Sequence, residues 1–370
     1  MQEIIFCSRC LTMSTRPRIS FNENGICNAC LWAEKKKIIN WSKREEKLQE
    51  LFNKNRSSTG DFDCLVPVSG GKDGSYVAYN LKKKYNMNPL CLTVTPHLPT
   101  QLGEENLREF VKSGYSHLSI NPPYEAMRKL NKIGFIEKGF PYFGWLTAIF
   151  ATPVRIAHQF DIGITFYGED GEVEYGGTSE TEKDPFFDSL YMQKIYLESG
   201  YKEVILNSNI SENDSLFFKF LDQEKLNKSY IKFTHWSYFE NWDPYRNYLV
   251  AKEFCGLKEA QNNNQGTFTN FAQNDQYLYS LHTYLMYLKF GFGRANQDAC
   301  IEIRRGAMER EQAINLVRMY DGSFAHDSVE IYLDYYQMKK QEFYEILDKW
   351  ANKSLFEKKG DKWIPTFKII

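Results

Sequence analysis

Seven consecutive residues, Ser69-Gly-Gly-Lys-Asp-Gly-Ser75, follow directly on the apolar run Cys64-Leu-Val-Pro-Val68. An apolar strand that feeds a Gly-rich turn and then a helix offers an anion several backbone N–H groups and the positive end of the helix dipole. Gly70 and Gly71 carry no Cβ, so the main chain can come close to phosphate oxygens. Lys72 supplies a point charge, and Asp73 can reach a metal that phosphates hold. Ser69 and Ser75 add hydroxyl donors. The spacing is neither G-x-x-x-x-G-K-[ST] nor G-x-G-x-x-G, so the two commonest nucleotide fingerprints are absent. An ordinary Ser/Gly turn is the plain alternative. The strand before and the helical run Tyr76 to Lys84 after it count against that alternative.

Two further constellations carry charge. An apolar run over 162–167 leads into Gly168-Glu-Asp-Gly171, and Glu169 and Asp170 can hold Mg²⁺ or orient a substrate. A solvated acidic turn is the competing reading. Lys289-Phe-Gly-Phe-Gly-Arg294 sets two cations beside flexible glycines, a turn suited to anionic oxygens. The alternative there is an ordinary helix end, with Gly291 as its cap and Lys289 in its last turn.

Cys7-x-x-Cys10 and Cys27-x-x-Cys30 form two knuckles. Four thiolates at this spacing match a closed tetrahedral structural Zn²⁺ site, which leaves no open position for catalysis. Between the knuckles, Arg18 to Phe21 reads as a short strand and Asn22 to Gly25 as a turn. A pair of disulfides is disfavoured, because no apolar segment of secretory type opens the chain. Cys64, Cys91, Cys255 and Cys300 are isolated and read as small buried hydrophobes.

These residues need a frame. From residue 64 onward, strands expected at 64–68, 89–95, 117–120 and 162–167 alternate with helices at 73–85, 103–113 and 144–159. That alternation predicts an α/β fold with a parallel sheet, whose ligands sit at the carboxyl ends of the strands. The expected organisation is a zinc ribbon over 1–33, a helical connector over 34–60, the α/β core over 61–210 and a mainly helical C-terminal region over 211–370. The chain has 370 residues with 42% hydrophobic and 16% aromatic content, enough for a sizeable core. Its net charge of −1 does not favour a nucleic-acid partner. The most apolar stretch, near 145–166, contains Pro153, Arg155, His158 and Asp161, so no membrane span and a cytoplasmic location are expected.

The Ser69–Ser75 loop resembles the PP-loop of the ATP pyrophosphatases, which cleave ATP between the α and β phosphates. Together with the cysteine knuckles and the stretch LHTYLMYLKFGFGRANQDACIEIRRG, nearly the whole chain resembles the N-acetyl sugar amidotransferase family. These are PP-loop enzymes of bacterial lipopolysaccharide O-antigen and nonulosonic-acid biosynthesis, including the pseudaminic-acid type.

The resemblance implies an adenine nucleotide alpha hydrolase-like core. It also implies ATP-dependent conversion of an N-acetyl group, on a sugar or sugar nucleotide, into an acetamidino group. Lys72, Asp73, Lys289 and Arg294 would be catalytic. Ser69, Gly70, Gly71, Gly74, Ser75, Glu169 and Asp170 would bind ATP and Mg²⁺. The nitrogen would come from glutaminase and cyclase-like subunits, since the chain shows no glutaminase signature. The runner-up is a PP-loop enzyme of tRNA thiolation or lysidine formation. Thiolation would favour paired reactive cysteines near the loop, where only the isolated Cys64 and Cys91 stand. A zinc-ribbon scaffold that merely binds nucleotide would not need both Lys72 and Asp73.

Overall fold

The computed structural model describes residues 4–228 and 230–369; residues 1–3 of the expected ribbon, and 229 and 370 of the expected helical region, lie outside that description. The first two strands are β1 (Cys64–Pro67) and β2 (Pro89–Val94), followed by β3 (Ser116–Ile120) and β4 (Ile164–Tyr167). All six residues of β2 are buried, as befits a strand covered on both faces. Two more strands, β5 (Phe186–Phe187) and β6 (Lys232–His235), complete a sheet of order β3-β2-β1-β4-β6-β5. All neighbours run parallel except β5, which is antiparallel to β6. The chain steps outward from β1 to β3 and then returns to place β4 on the other side of β1. The order therefore reverses between β1 and β4, where the loops leaving both strands flank one crevice. The Ser69 loop and the Glu169 loop are those two.

Some elements differ from expectation. β6 comes from the stretch expected to be helical, so the sheet extends beyond residue 210. Its four residues, Lys-Phe-Thr-His, are too few to show a period. The C-terminal region also ends in a hairpin of β7 (Phe356–Lys359) and β8 (Lys362–Pro365). In the ribbon the expected strand reduces to a single bridge between Phe21 and Cys27, because Arg18 turns into the left-handed region at φ 62°. The connector is two helices, Asn28–Lys36 and Trp41–Asn55. The second starts at Asn40, whose side chain accepts the Lys43 N–H at 3.0 Å.

The C-terminal helices share one apolar core with the α/β part. Leu278, Leu281, Leu285 and Leu288 pack with Phe143, Ala148 and Val154, and with Tyr332, Tyr336 and Phe343. The ribbon packs separately on the helix Arg294–Arg305 through Leu11, Ala299 and Cys300. Among the described residues no helix is long and apolar enough to cross a membrane.

Candidate active site

β1 ends at Pro67, and the next residue still pairs with the sheet through Val68 N to Leu92 O at 2.8 Å. The chain then turns through Ser69–Gly71 into the helix Lys72–Tyr79, whose N-cap Gly71 offers no side-chain acceptor. The amides of the first turn thus lack a capping side chain, the condition that favours an external anion. The glycines divide the work. Gly70 has φ 79°, and a Cβ there would run into the backbone of Leu107 and Asn106. A Cβ at Gly74 would come within 2.8 Å of Pro67 O. These two glycines let the loop pack against a neighbouring helix and its own strand. Gly71 would meet only Ser69 Oγ, at 3.3 Å, and lines a cavity together with Ser69, Lys72, Asp73 and Gly74. Ser75 points away from it: its hydroxyl is fully buried, with no hydrogen-bond partner.

The cavity measures about 250 Å³ and has three walls: the Ser69 loop, the ribbon through Met13 and Arg16, and the C-terminal region through Arg294 and Arg304. Within it the Lys72 amine pairs with the Asp73 carboxylate, and Asn247 Nδ2 donates to Asp73 Oδ1 at 3.2 Å. Glu169 lies opposite and accepts a bond from the Tyr175 hydroxyl at 3.2 Å. Burial pushes the Glu169 carboxyl up, and the charge of Asp73 adds to the push. Two neighbouring carboxylates, one of them buried, are a place for a cation. Arg294 opens the helix Arg294–Arg305 and pairs with Asp298 at 2.8 Å, one turn on. Burial opposes its charge, but the fields of Asp298, Tyr175 and Glu169 outweigh burial and hold it above the ordinary value.

Two further expected site residues stand elsewhere. Lys289 donates to Lys138 O at 2.9 Å and lies 5.0 Å from the Trp350 ring. Gly291, at φ 82°, ends the helix Leu278–Phe290 between Lys289 and Arg294 and sends the two cations to different sides. The helix-end alternative thus describes Lys289. Asp170 caps the short helix Gly171–Tyr175 through Glu172 N–H at 3.1 Å and Val173 N–H at 3.3 Å. Its other oxygen accepts the Thr181 hydroxyl, so it faces His235 and not the cavity.

Three residues on the cavity wall, Arg16, Asp275 and Arg304, and the buried Asn247 that bonds Asp73, gave no clear signal in the sequence. Asn247 sits on the helix Pro244–Cys255, and Arg16 and Arg304 lie far apart in the chain. Asp275 is an isolated acid in an aromatic stretch. Its Oδ2 is buried without a partner. Asp321 lies behind the wall. It accepts the N–H groups of Gly293 at 2.7 Å and Ala295 at 3.0 Å, and so fixes the start of the helix that carries Arg294.

The sulfurs of Cys7, Cys10, Cys27 and Cys30 all lie within 4.8 Å of one another, and every cysteine is free. Two of the separations are 3.9 Å (Cys7–Cys30) and 3.7 Å (Cys10–Cys27). A tetrahedron with Zn–S bonds of ~2.3 Å has edges of ~3.8 Å, so the donor set fits zinc. Hydrogen bonds shared among the four sulfurs lower the Cys7 and Cys10 thiols and raise those of Cys27 and Cys30, and a bound cation would draw all four to the thiolate form.

Residues 265–369 match the family model described as LPS biosynthesis protein WbpG-like, C-terminal domain, which fits a role in glycan biosynthesis. An 89-residue stretch is 33% identical to the uncharacterized protein MJ1599 of Methanocaldococcus jannaschii. That stretch covers 24% of this chain and 32% of the relative, so the chain spans about a third of that protein's length.

Proposed function

We propose that the chain is an AMP-forming, ATP-dependent N-acetyl sugar amidotransferase of surface-glycan biosynthesis. The observation that carries this reading is the uncapped helix N-terminus after β1, at the sheet's switch point, opening into a cavity with Lys72, Asp73, Glu169 and Arg294. Ser69, Gly71 and Gly74 would cradle ATP phosphates, and Lys72 and Arg294 would offset their charge. Asp73 and Glu169 would hold Mg²⁺, which neutralises the phosphate oxygens. Lys289 and Asp170 have no part in this version of the site. A second, more apolar cavity of about 240 Å³ adjoins Ser69 and Gly74 and is walled by Val68, Val94, Trp145 and Tyr279. It suits a purine base.

An amide carbonyl is a poor electrophile with a poor leaving group. Its oxygen attacks the α-phosphorus of ATP, the bond to the β-phosphate oxygen breaks, and pyrophosphate leaves. The resulting O-adenylyl imidate adds ammonia at carbon. The C–O bond then breaks, AMP departs with the bonding electrons, and the acetamidino group remains. No covalent enzyme intermediate is needed, so the side chains contribute positioning and charge stabilisation. The ammonia would come from a glutaminase with a cyclase-like subunit. The test is incubation with ATP, Mg²⁺, ammonium and a set of N-acetylated sugars and sugar nucleotides. AMP, pyrophosphate and an acetamidino product in equal amounts support the proposal. ADP with orthophosphate as coupled products overturns it.

A further inference from the structure

We propose that Arg16, with Arg304 beside it, forms a subsite for an anionic group of the acceptor, a carboxylate or phosphate, at the ribbon end of the cavity. The inference rests on the proposed reaction for its substrate but on the charges of the wall for its location. Four cations line the cavity: Arg16, Lys72, Arg294 and Arg304. Lys72 and Arg294 each pair with a carboxylate. Arg16 and Arg304 pair with none among the described residues. Arg16 Nε donates to Gly176 O at 2.9 Å, and its other nitrogens have no partner there. The acidic neighbour whose field reaches it, Glu172, is held by both Nε and Nη2 of Arg18, at 2.8 and 2.6 Å. Among the described residues the Arg304 guanidinium hydrogen-bonds Cys10 Sγ, at 3.9 Å, and no carboxylate.

The zinc centre does not account for both charges. Four thiolates and one Zn²⁺ leave two negative charges. Arg304 meets that charge through Cys10 Sγ, whereas Arg16 makes no hydrogen bond to any of the four sulfurs among the described residues. Arg16 is then the surplus cation, fixed by Gly176 O and Phe292, whose ring lies 6.0 Å from its guanidinium. A half-buried guanidinium without an anion is poorly compensated, and its planar fork suits a carboxylate or phosphate. ATP has its own cations at the other end of the cavity. A neutral N-acetyl sugar would leave Arg16 unsatisfied, so the acceptor itself carries the charge.

The test uses full-length, zinc-loaded protein and its Arg16→Gln and Arg16→Lys variants, with zinc content and melting temperature measured on each preparation. The acceptors are UDP-N-acetylglucosamine, an N-acetylated hexuronic acid and neutral N-acetylglucosamine. Arg16→Gln is expected to raise KM for a charged acceptor about ten- to a hundredfold, with KM for ATP changed less than about twofold and Arg16→Lys restoring part of the loss. Loss confined to the uronic acid identifies a carboxylate, and loss confined to the UDP-sugar identifies the diphosphate. A rise in KM for ATP, or equal loss with the neutral sugar, overturns the subsite. If no acceptor supports pyrophosphate release by the native protein, the proposed reaction fails. The subsite is then tested by calorimetric titration with UDP and glucuronate: binding lost in Arg16→Gln upholds it, and no binding, or equal binding by both proteins, overturns it.

Discussion

Lys72 and Asp73 are neighbours in sequence and partners in space, so removing either leaves the other charge uncompensated in the cavity. Lys72→Ala is expected to cut pyrophosphate release about 10²- to 10³-fold with the fold intact, as loss of one oriented cation does elsewhere. Turnover and melting temperature on one preparation check this. Lys289→Ala should do the reverse, because its amine ties Lys138 O beside Trp350: lower melting temperature, with near-normal turnover per folded molecule. Asp275 makes a different residue-scale prediction. Burial raises its carboxyl from 3.8 to about 6. Between those values the folded chain holds a proton that the unfolded chain has released, so stability falls as pH rises through the window and stays lower above it. Asp275→Asn should therefore melt higher than the native protein at pH 8, and the gap should shrink towards pH 4. The loop residues were legible in the sequence because seven contiguous residues carry the pattern. Glu169 and Asp170 were not separable there, since a helix cap decides which of two adjacent carboxylates faces the cavity.

At the scale of elements, close approach of backbones governs the site. The loop after β1 can reach the helix Gln101–Lys112 only without a Cβ at residue 70, and that helix reaches the Asp275 segment only without one at residue 103. Gly70→Ala meets both a left-handed φ of 79° and the Leu107 backbone, and is expected to cost about 1–3 kcal/mol or more. Denaturant titration measures this, and a variant as stable as the native chain would refute the packing argument. The helices and strands of the first half were readable because their apolar runs are long or evenly spaced, as in β2. β6 was hidden as a four-residue strand that pairs with the distant β4, and the β7–β8 hairpin because its two short strands, Phe-Glu-Lys-Lys and Lys-Trp-Ile-Pro, show no clean alternation. The turn at Gly291 was readable as a helix cap, yet the divergence of Lys289 and Arg294 followed from packing that no local spacing records.

Over the whole molecule the ribbon, the sheet and the C-terminal helices meet at one cavity, which changes what zinc is expected to do. The ribbon is tied to the helix Arg294–Arg305 by Leu11 N–H to Cys300 Sγ at 3.3 Å and Asn296 Nδ2 to Leu11 O at 3.0 Å. Arg16 ties it to Gly176, beyond the loop that carries Glu169. A structural zinc typically contributes on the order of 10 kcal/mol to its own fold, so Cys10→Ser should release much of the ribbon. If the ribbon were only an appendage, turnover per folded molecule would survive that loss. Because Thr12, Met13 and Arg16 form part of the wall, acceptor KM should instead rise in step with zinc loss. ATP binding should be affected less, since Lys72 and the uncapped amides stand on the sheet. Titrating zinc out with a chelator, while following acceptor KM and ATP affinity in parallel, separates the two cases. Unchanged acceptor KM in zinc-free protein would detach the ribbon from substrate recognition.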